Sequence, residues 1–184
     1  MALKLRKKII DQAIEDLSKG GLGSVTIPAI SQELGVEDSE IFNFFSSREE
    51  ILVAQQDRLW KVQFTRLDKY LKKAKTPAEF KITFEKFFDL FVANLREDHR
   101  IQYEVFSFVP ACLEFRAKLK VRLKKLFILL IKKGWPGKTQ NVLERQSELV
   151  LLSFVGFMDH IIHISSGERE KILKDFKNML NLHL

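Results

Sequence analysis

Apolar residues recur every three or four positions along almost the whole chain, which is the period of helices with one buried face. Nothing in the pattern marks a strand-rich domain. Capping residues, glycines and prolines divide it into segments; the clearest start is Thr76-Pro77-Ala78-Glu79, which combines an N-cap, a first-turn proline and a capping-box acid. Long helices are predicted over residues 48–73, from 77 onward, and over 112–133, 139–164 and 168–182, with a further stretch over 100–109.

Two short helices joined by a glycine turn are predicted within residues 26–52. Thr26 can cap the first helix, and Gly35 ends it because glycine tolerates the left-handed backbone that helix ends commonly need. The second helix is predicted from 38 to about 45, with Ser39, Glu40 and Asn43 on its outer side. This arrangement is a helix-turn-helix, in which the second helix enters the major groove of DNA.

Asn43 and the start of the next helix suit contacts with DNA. Asn43 can pair with adenine through two hydrogen bonds from its side-chain amide. Ser47 and Glu50 predict a capping box at the start of the next helix, whose backbone N–H groups, together with Arg48, suit a phosphate.

The first 52 residues resemble the DNA-binding domain of TetR-type transcriptional repressors. That pattern runs from a basic, apolar first helix through Gly and Thr-Thr-x-x-Ile-Ala to a Gly-Val turn, a small-x-Leu-Tyr-x-x-Phe recognition helix and Ser-Lys-Glu-x-Leu. The matching positions are Arg6, Ile9, Ile10, Ala13, Gly23, Thr26, Ile30, Ser31, Gly35, Val36, Ile41, Phe42, Phe45, Ser47, Arg48, Glu49 and Leu52.

The resemblance implies an all-α fold of nine helices, with a DNA-binding domain over residues 1–50 and a ligand-binding and dimerisation domain over residues 51–184. A basic stretch near the N-terminus can lie along the DNA backbone, or it can be an ordinary solvated helix face. The candidate DNA contacts are Lys4, Arg6, Lys7, Thr26, Ser39, Glu40, Phe42, Asn43, Ser47 and Arg48.

The chain departs from the family pattern in two side chains and in charge. Phe42 replaces the usual Tyr, which removes a hydroxyl that would reach a phosphate, and Arg48 replaces the usual Lys. Residues 1–52 carry six Lys or Arg against nine Asp or Glu, a net charge of −3, and the remainder has a net charge of +10. Acidic side chains at 37, 38 and 40 suit the helix dipole but repel phosphates. The alternative function is therefore a TetR-like carrier or sensor of hydrophobic molecules that has lost DNA binding.

The predicted helix over residues 139–164 is apolar nearly all the way round, so it has a second apolar surface that must also be buried against other residues. Either this helix is the buried centre of a monomer, or a second copy of the chain covers it. In TetR-like proteins the last two helices form a four-helix bundle with the other subunit, which places two recognition helices in successive major grooves. The predicted dimer interface comprises Leu149, Leu152, Ser153, Gly156, Phe157, Ile172, Phe176 and Met179.

Sixteen phenylalanines, many of them in the middle helices, either fill a core or line a cavity for a small apolar effector. The candidate ligand-binding residues are Phe64, Phe84, Phe87, Phe88, Phe91, Tyr103, Phe106, Phe115 and His160. The expected protein is a homodimeric repressor on a double-stranded DNA operator, released when an effector shifts the helix over residues 48–73.

Composition excludes several other classes of protein. No apolar stretch reaches the ~20 residues needed to span a bilayer, and no signal peptide is recognisable, so a cytoplasmic protein without a membrane partner is expected. Cys112 is the only cysteine, which excludes an intrachain disulfide and a cysteine-based zinc cluster. The sequence has no catalytic triad, phosphate-binding glycine loop or metal motif, so we expect neither an enzyme nor a cofactor or metal.

Overall fold

The computed structural model describes residues 2–93, 105, 109–161, 164 and 166–183, with the backbone alone for 2, 91–93, 166, 182 and 183. These residues form eight α-helices and two short 3-10 helices, without a strand, so the predicted all-α class is confirmed. The α-helices are α1 (Ala2–Gly20), α2 (Ile27–Leu34), α3 (Asp38–Phe42), α4 (Arg48–Lys73), α5 (Pro77–Ala93), α6 (Leu113–Gly134), α7 (Gln140–Ile161) and α8 (Ser166–His183).

The long predicted helices correspond to α4 through α8, with ends displaced by at most three residues. Pro77 is the first residue of α5, and the Glu79 carboxylate accepts hydrogen bonds from the N–H groups of Lys75 and Thr76 at 2.7 and 2.8 Å. The 3-10 helices are Leu22–Ser24 and Pro110–Cys112. The predicted ninth helix falls on residues 100–109, of which only 105 and 109 are described.

The chain divides into two compact units. The first comprises Met1–Val62 and Arg96–Ala117, and the second comprises Gln63–Leu95 and Lys118–Leu184. The domain boundary predicted near residue 50 stays a prediction.

The first unit has one apolar core, to which the helix-turn-helix contributes Ile30, Ile41 and Phe45. These three side chains are almost completely buried, at 0%, 0% and 1% exposure. Burying a side chain of this size stabilises the fold by about 1.5–3 kcal/mol. The apolar pattern around the glycine turn therefore closes the core of this unit. Of the polar residues between Ile30 and Ile41, only Ser31 is buried, and the others are exposed.

The second unit has an aromatic core formed by α5, α6 and α7. The Phe87 ring lies edge-on to Phe88 and to Phe127, with centroid distances of 5.1 Å in both pairs, and Phe154 lies 5.2 Å from Phe87. Edge-to-face pairs contribute about 0.5–1.5 kcal/mol each beyond the area they bury. At the rim of this core, the Lys177 ammonium of α8 pairs with the Asp89 carboxylate of α5 at 2.7 Å.

None of the described helices is both long enough and apolar enough to cross a membrane.

Candidate nucleic-acid interface

Two local backbone signals bound α2. Thr26 has an extended backbone, with φ −129°, and its Oγ1 accepts a hydrogen bond from the Ala29 N–H at 3.2 Å. Gly35 has a left-handed backbone, with φ 64°, and its N–H donates to the Gln32 carbonyl at 3.3 Å. The predicted cap and the predicted glycine turn are both confirmed, and they set the points at which the chain enters and leaves α2.

The second helix of the motif, α3, ends at Phe42 rather than near Phe45 as predicted. The carbonyl oxygen of Ile41 accepts hydrogen bonds from the N–H groups of both Phe44 and Phe45, at 2.9 and 3.1 Å. This double acceptance closes the helix with a turn, which a periodic apolar pattern does not reveal. The Phe45 ring still packs into the core, as predicted.

The outer side of α3 and the residue that follows it is exposed to solvent. Ser39, Glu40 and Asn43 are all exposed, and Phe42 is 53% exposed although it is a large apolar residue. The structure thus brings four predicted DNA contacts to one continuous surface. A solvent-exposed phenylalanine beside an amide and a hydroxyl is suited to apolar contact with a thymine methyl group.

Each of the three acidic residues at the start of α3 accepts a hydrogen bond from within the motif. The Glu37 N–H donates to the Glu40 carboxylate at 3.3 Å, and the Ser39 hydroxyl donates to the Glu37 carboxylate at 3.1 Å. The Ser31 hydroxyl of α2 donates to the Asp38 carboxylate. The acidic residues therefore stabilise the N-terminus of α3 and join it to α2.

The start of α4 is capped differently from the prediction. The Glu50 N–H donates to Ser47 Oγ at 3.3 Å, as a capping box requires. The Glu50 carboxylate, however, accepts from the N–H and hydroxyl of Ser46, at 2.7 and 2.9 Å, and not from the Ser47 N–H. These bonds from Ser46, with a smaller contribution from the positive charge of Arg6, hold the pKa of Glu50 below its ordinary value.

The first turn of α4 retains two donors for an external group. The N–H groups of Arg48 and Glu49 lie in the first turn, where an α-helix offers no acceptor from its own backbone. They point out of the positive end of the helix dipole, which favours an anion.

Two of the predicted basic contacts also take part in the packing of the first unit. The Arg48 guanidinium donates to the carbonyl oxygen of Leu22, and the Arg6 guanidinium lies 4.8 Å from the centroid of the Phe45 ring. Lys4 and Lys7 are exposed on α1. The sequence pattern did not predict the roles of Leu22 and Ser46. Leu22 acts through its backbone carbonyl, which residue type does not reveal, and Ser46 takes the place in the cap that the spacing assigned to Ser47.

The described candidate ligand-binding residues have different surroundings within their own units, and their role in binding a ligand stays a prediction. Phe84, Phe87 and Phe88 pack edge-to-face in the aromatic core, so of the two interpretations the structure supports a filled core for these three. Phe64 is buried beneath the Arg122 guanidinium, 3.6 Å from the ring centroid. Of the remaining candidates, Phe115 is half-buried in the first unit and His160 is exposed on α7. The side chains of Phe91, Tyr103 and Phe106 are outside the described residues.

The predicted dimer residues separate into an exposed and a buried set. Leu149 and Leu152 are each 61% exposed on α7, Met179 is 39% exposed on α8, Gly156 is exposed, and Ser153 and Ile172 are half-buried.

The Phe157 and Phe176 rings instead stack on each other with centroids 4.3 Å apart. They are already buried by their own chain, and their predicted place in a dimer interface stays a prediction. Of the predicted interface residues, the exposed set is therefore accessible to a second chain.

Within the described ranges, no group of three or more His, Cys, Asp or Glu side chains is placed to hold a metal ion. Cys112 is buried in the core of the first unit, where burial raises the pKa of its thiol.

Residues 9–54 match the family model described as bacterial regulatory proteins of the tetR family. A transcriptional regulator from Cytophaga hutchinsonii has the same fold, with a TM-score of 0.75 and 17% identity over 98% of this chain and 95% of that one. A TetR/AcrR-family regulator from Thermobifida fusca gives 0.72 at 14% identity, over 96% of each chain. The multidrug binding protein EbrR, solved with malachite green, gives 0.73 at 12% identity, over 97% of each chain.

No curated protein sequence matches the chain significantly. At these identities the solved structures establish the fold, and the match over residues 9–54 establishes the kind of N-terminal domain. Residues 9–54 are therefore similar to the N-terminal region of bacterial regulatory proteins of the tetR family, and the chain has the fold of solved TetR-family transcriptional regulators.

Proposed function

We propose that the chain is a homodimeric repressor that binds an inverted repeat in double-stranded DNA through α3, and that a small apolar effector bound by the second unit releases it. The observation that carries this proposal is the exposed surface formed by Ser39, Glu40, Phe42 and Asn43, which internal hydrogen bonds hold in one geometry. A recognition helix needs this combination of exposed side chains on a rigid backbone.

Roles for the individual residues follow from their positions. Asn43 pairs with an adenine edge, and Phe42 contacts a thymine methyl group. The free N–H groups at the start of α4 bind a backbone phosphate. Lys4, Lys7 and Arg6 of α1 neutralise neighbouring phosphates, which sets the orientation of the domain without adding sequence preference.

The net charge of −3 over residues 1–52 favours the alternative, a carrier or sensor of hydrophobic molecules that no longer binds DNA. The hydrogen bonds of Glu37, Asp38 and Glu40 weaken that alternative, because they give these acids a structural reason to be present. The carboxylates nevertheless remain charged and exposed. They lower the affinity for any duplex and make the few basic residues correspondingly important.

The exposed leucines of α7 support the homodimer. Leu149 and Leu152 lie three residues apart and therefore on one helix face, and Gly156 continues that face one turn further on. The apolar side chains of such a face stay exposed to water unless another helix packs against them. In a two-fold symmetric dimer, the same face of a second copy provides that helix.

The effector part of the proposal is supported by a relative and by the aromatic core. EbrR was solved in complex with malachite green. In this chain an effector that enters the aromatic core has to separate rings whose centroids lie 5.1 Å apart. The proposed response to the effector is a shift of α4, which contributes residues to both units.

Selection of bound sequences from a random duplex pool tests the DNA-binding proposal. We expect enrichment of one inverted repeat, and an affinity that falls steeply with added salt because phosphate binding releases counterions. Replacing Asn43→Ala should weaken binding to the selected duplex about tenfold or more, since a bidentate base contact contributes about 1–3 kcal/mol of discrimination. The matched control is Asn141→Ala, an exposed asparagine of α7, which should bind as the parent does.

Failure to enrich any sequence, together with an affinity for malachite green that is independent of DNA, would support the carrier instead. If Asn43→Ala and Asn141→Ala bound the selected duplex equally well, α3 would not be the recognition helix.

A further inference from the structure

A groove of about 270 Å³ lies in the second unit between α4 and α5. It is lined by Arg66, Lys69, Tyr70, Lys73 and Leu90. The four residues from α4 recur at intervals of three, one and three, so they share one face of that helix. Residues 66 and 73 are separated by about 10.5 Å along the helix axis, so the face is long enough to span a small molecule.

The groove is strongly cationic. Among the lining residues that the structure describes, Arg66, Lys69 and Lys73 carry a positive charge and none carries a carboxylate. Like charges that face one concave space raise its potential for anions, because the apolar wall behind them focuses the field. A guanidinium can engage two oxygens of one carboxylate, sulfonate or phosphate, and the two ammonium groups supply further charge-assisted hydrogen bonds.

The same groove offers an apolar wall. The Tyr70 ring is 40% exposed and Leu90 is half-buried, so both have surface available for contact with a planar apolar group. A simple inorganic ion would leave this surface uncovered. Apolar walls with a few converging charged groups are typical of sites for small organic ligands.

We propose that this groove binds a small organic anion, an aromatic ring system bearing one carboxylate, sulfonate or phosphate. The anionic group lies among Arg66, Lys69 and Lys73, and the rings lie against Tyr70 and Leu90. The groove shares no residue with the aromatic core, so it is distinct from the site proposed for an apolar effector. The proposal does not depend on DNA binding, since binding of the anion is measured directly.

Fluorescence titration of the full chain with anilinonaphthalene sulfonate tests the charge requirement. Phenylnaphthylamine is the matched probe, because it has the same rings without the sulfonate. We expect the sulfonate to bind at least about tenfold more tightly than the neutral probe, and its affinity to fall with added sodium chloride.

The double substitution Lys69→Gln with Lys73→Gln should weaken sulfonate binding about tenfold and leave binding of the neutral probe unchanged. The double substitution Lys132→Gln with Lys133→Gln makes the same change of charge on exposed residues of α6, and it should bind both probes as the parent does. Circular dichroism checks that each variant is folded. If the double variant of Lys69 and Lys73 does not fold, the single substitution Lys69→Gln is measured in its place.

Three results would overturn the proposal. The first is equal affinity of the parent for the two probes, which means that rings alone determine binding. The second is unchanged sulfonate affinity in the folded variant of Lys69 and Lys73. The third is an equal loss in both double variants, which means that net charge and not this groove attracts the anion.

Discussion

The Arg6 guanidinium of α1 lies over the ring of Phe45, three residues after the end of α3, at 4.8 Å from the ring centroid. This cation–π contact connects the basic N-terminal stretch to the residue that anchors the end of the helix-turn-helix in its core. One arginine thus has two roles, packing against an aromatic ring and carrying charge at the proposed DNA surface.

Replacing Arg6→Gln should therefore affect both stability and DNA binding. We expect the free energy of unfolding to fall by about 0.5–1 kcal/mol, the range of an exposed cation–π contact. Binding should weaken to a similar degree for all duplex sequences, and the slope of log affinity against log salt should become shallower by about 0.9. Arg6→Lys keeps the charge and should preserve the slope. An unchanged slope in Arg6→Gln would remove Arg6 from the phosphate contacts.

Replacing Gly35→Ala should destabilise the first unit by about 1–2 kcal/mol, because alanine is strained in a left-handed backbone. A Cβ added at this position meets nothing within 4 Å, so the loss isolates backbone strain from steric conflict. Chemical denaturation measures it. Gly23→Ala is the matched control, since Gly23 does not have a positive φ and its Cβ would also meet nothing. Equal stability of the two variants would contradict this account.

Replacing Glu50→Gln should reduce stability at about pH 7 and make little difference at about pH 3. The pKa of Glu50 is lowered in the folded protein by hydrogen bonds from Ser46, so its ionised form is favoured by folding. Such a contribution is fully present above the ordinary pKa of 4.5 and is lost as the pH falls through the lowered value.

Denaturant midpoints for the parent and the Glu50→Gln variant, measured at both pH values, give the comparison. Glu49→Gln removes a neighbouring exposed charge and should show a smaller difference at the higher pH. A difference between parent and Glu50→Gln that grows towards low pH would reverse the sign and refute the capping role.

Replacing Leu152→Glu should convert the proposed homodimer into a monomer, because the two-fold axis brings the new charge of each copy into an apolar interface. Leu113→Glu is a closely matched control, since Leu113 is also 61% exposed but lies at the start of α6. Sedimentation velocity distinguishes the two states. A parent that is monomeric at micromolar concentration, or a Leu113→Glu variant that dissociates equally, would contradict the proposed interface.

Capping residues, glycine and proline predicted the ends of several helices correctly. Thr26 and Gly35 bound α2 as expected, and Pro77 begins α5. These residues act through their own backbone geometry or through atoms three or four positions away, so their effect is contained in a short stretch of sequence. The end of α3 was missed because the Ile41 carbonyl accepts hydrogen bonds from both the Phe44 and Phe45 N–H groups, and residue type does not predict this double acceptance.

The sequence by itself determined the all-α class, the helix-turn-helix and the outward side of its second helix, because a helix converts spacing along the chain directly into position on a face. Only the tertiary structure decided which apolar side chains of the last two helices are buried and which are exposed. Phe157 and Phe176 stack within the chain, whereas Leu149 and Leu152 are exposed. It also brought Arg48 to the carbonyl of Leu22. Contacts of this kind join residues that are distant in sequence, and they depend on how side chains fill a shared volume, which hydrophobicity and spacing do not specify.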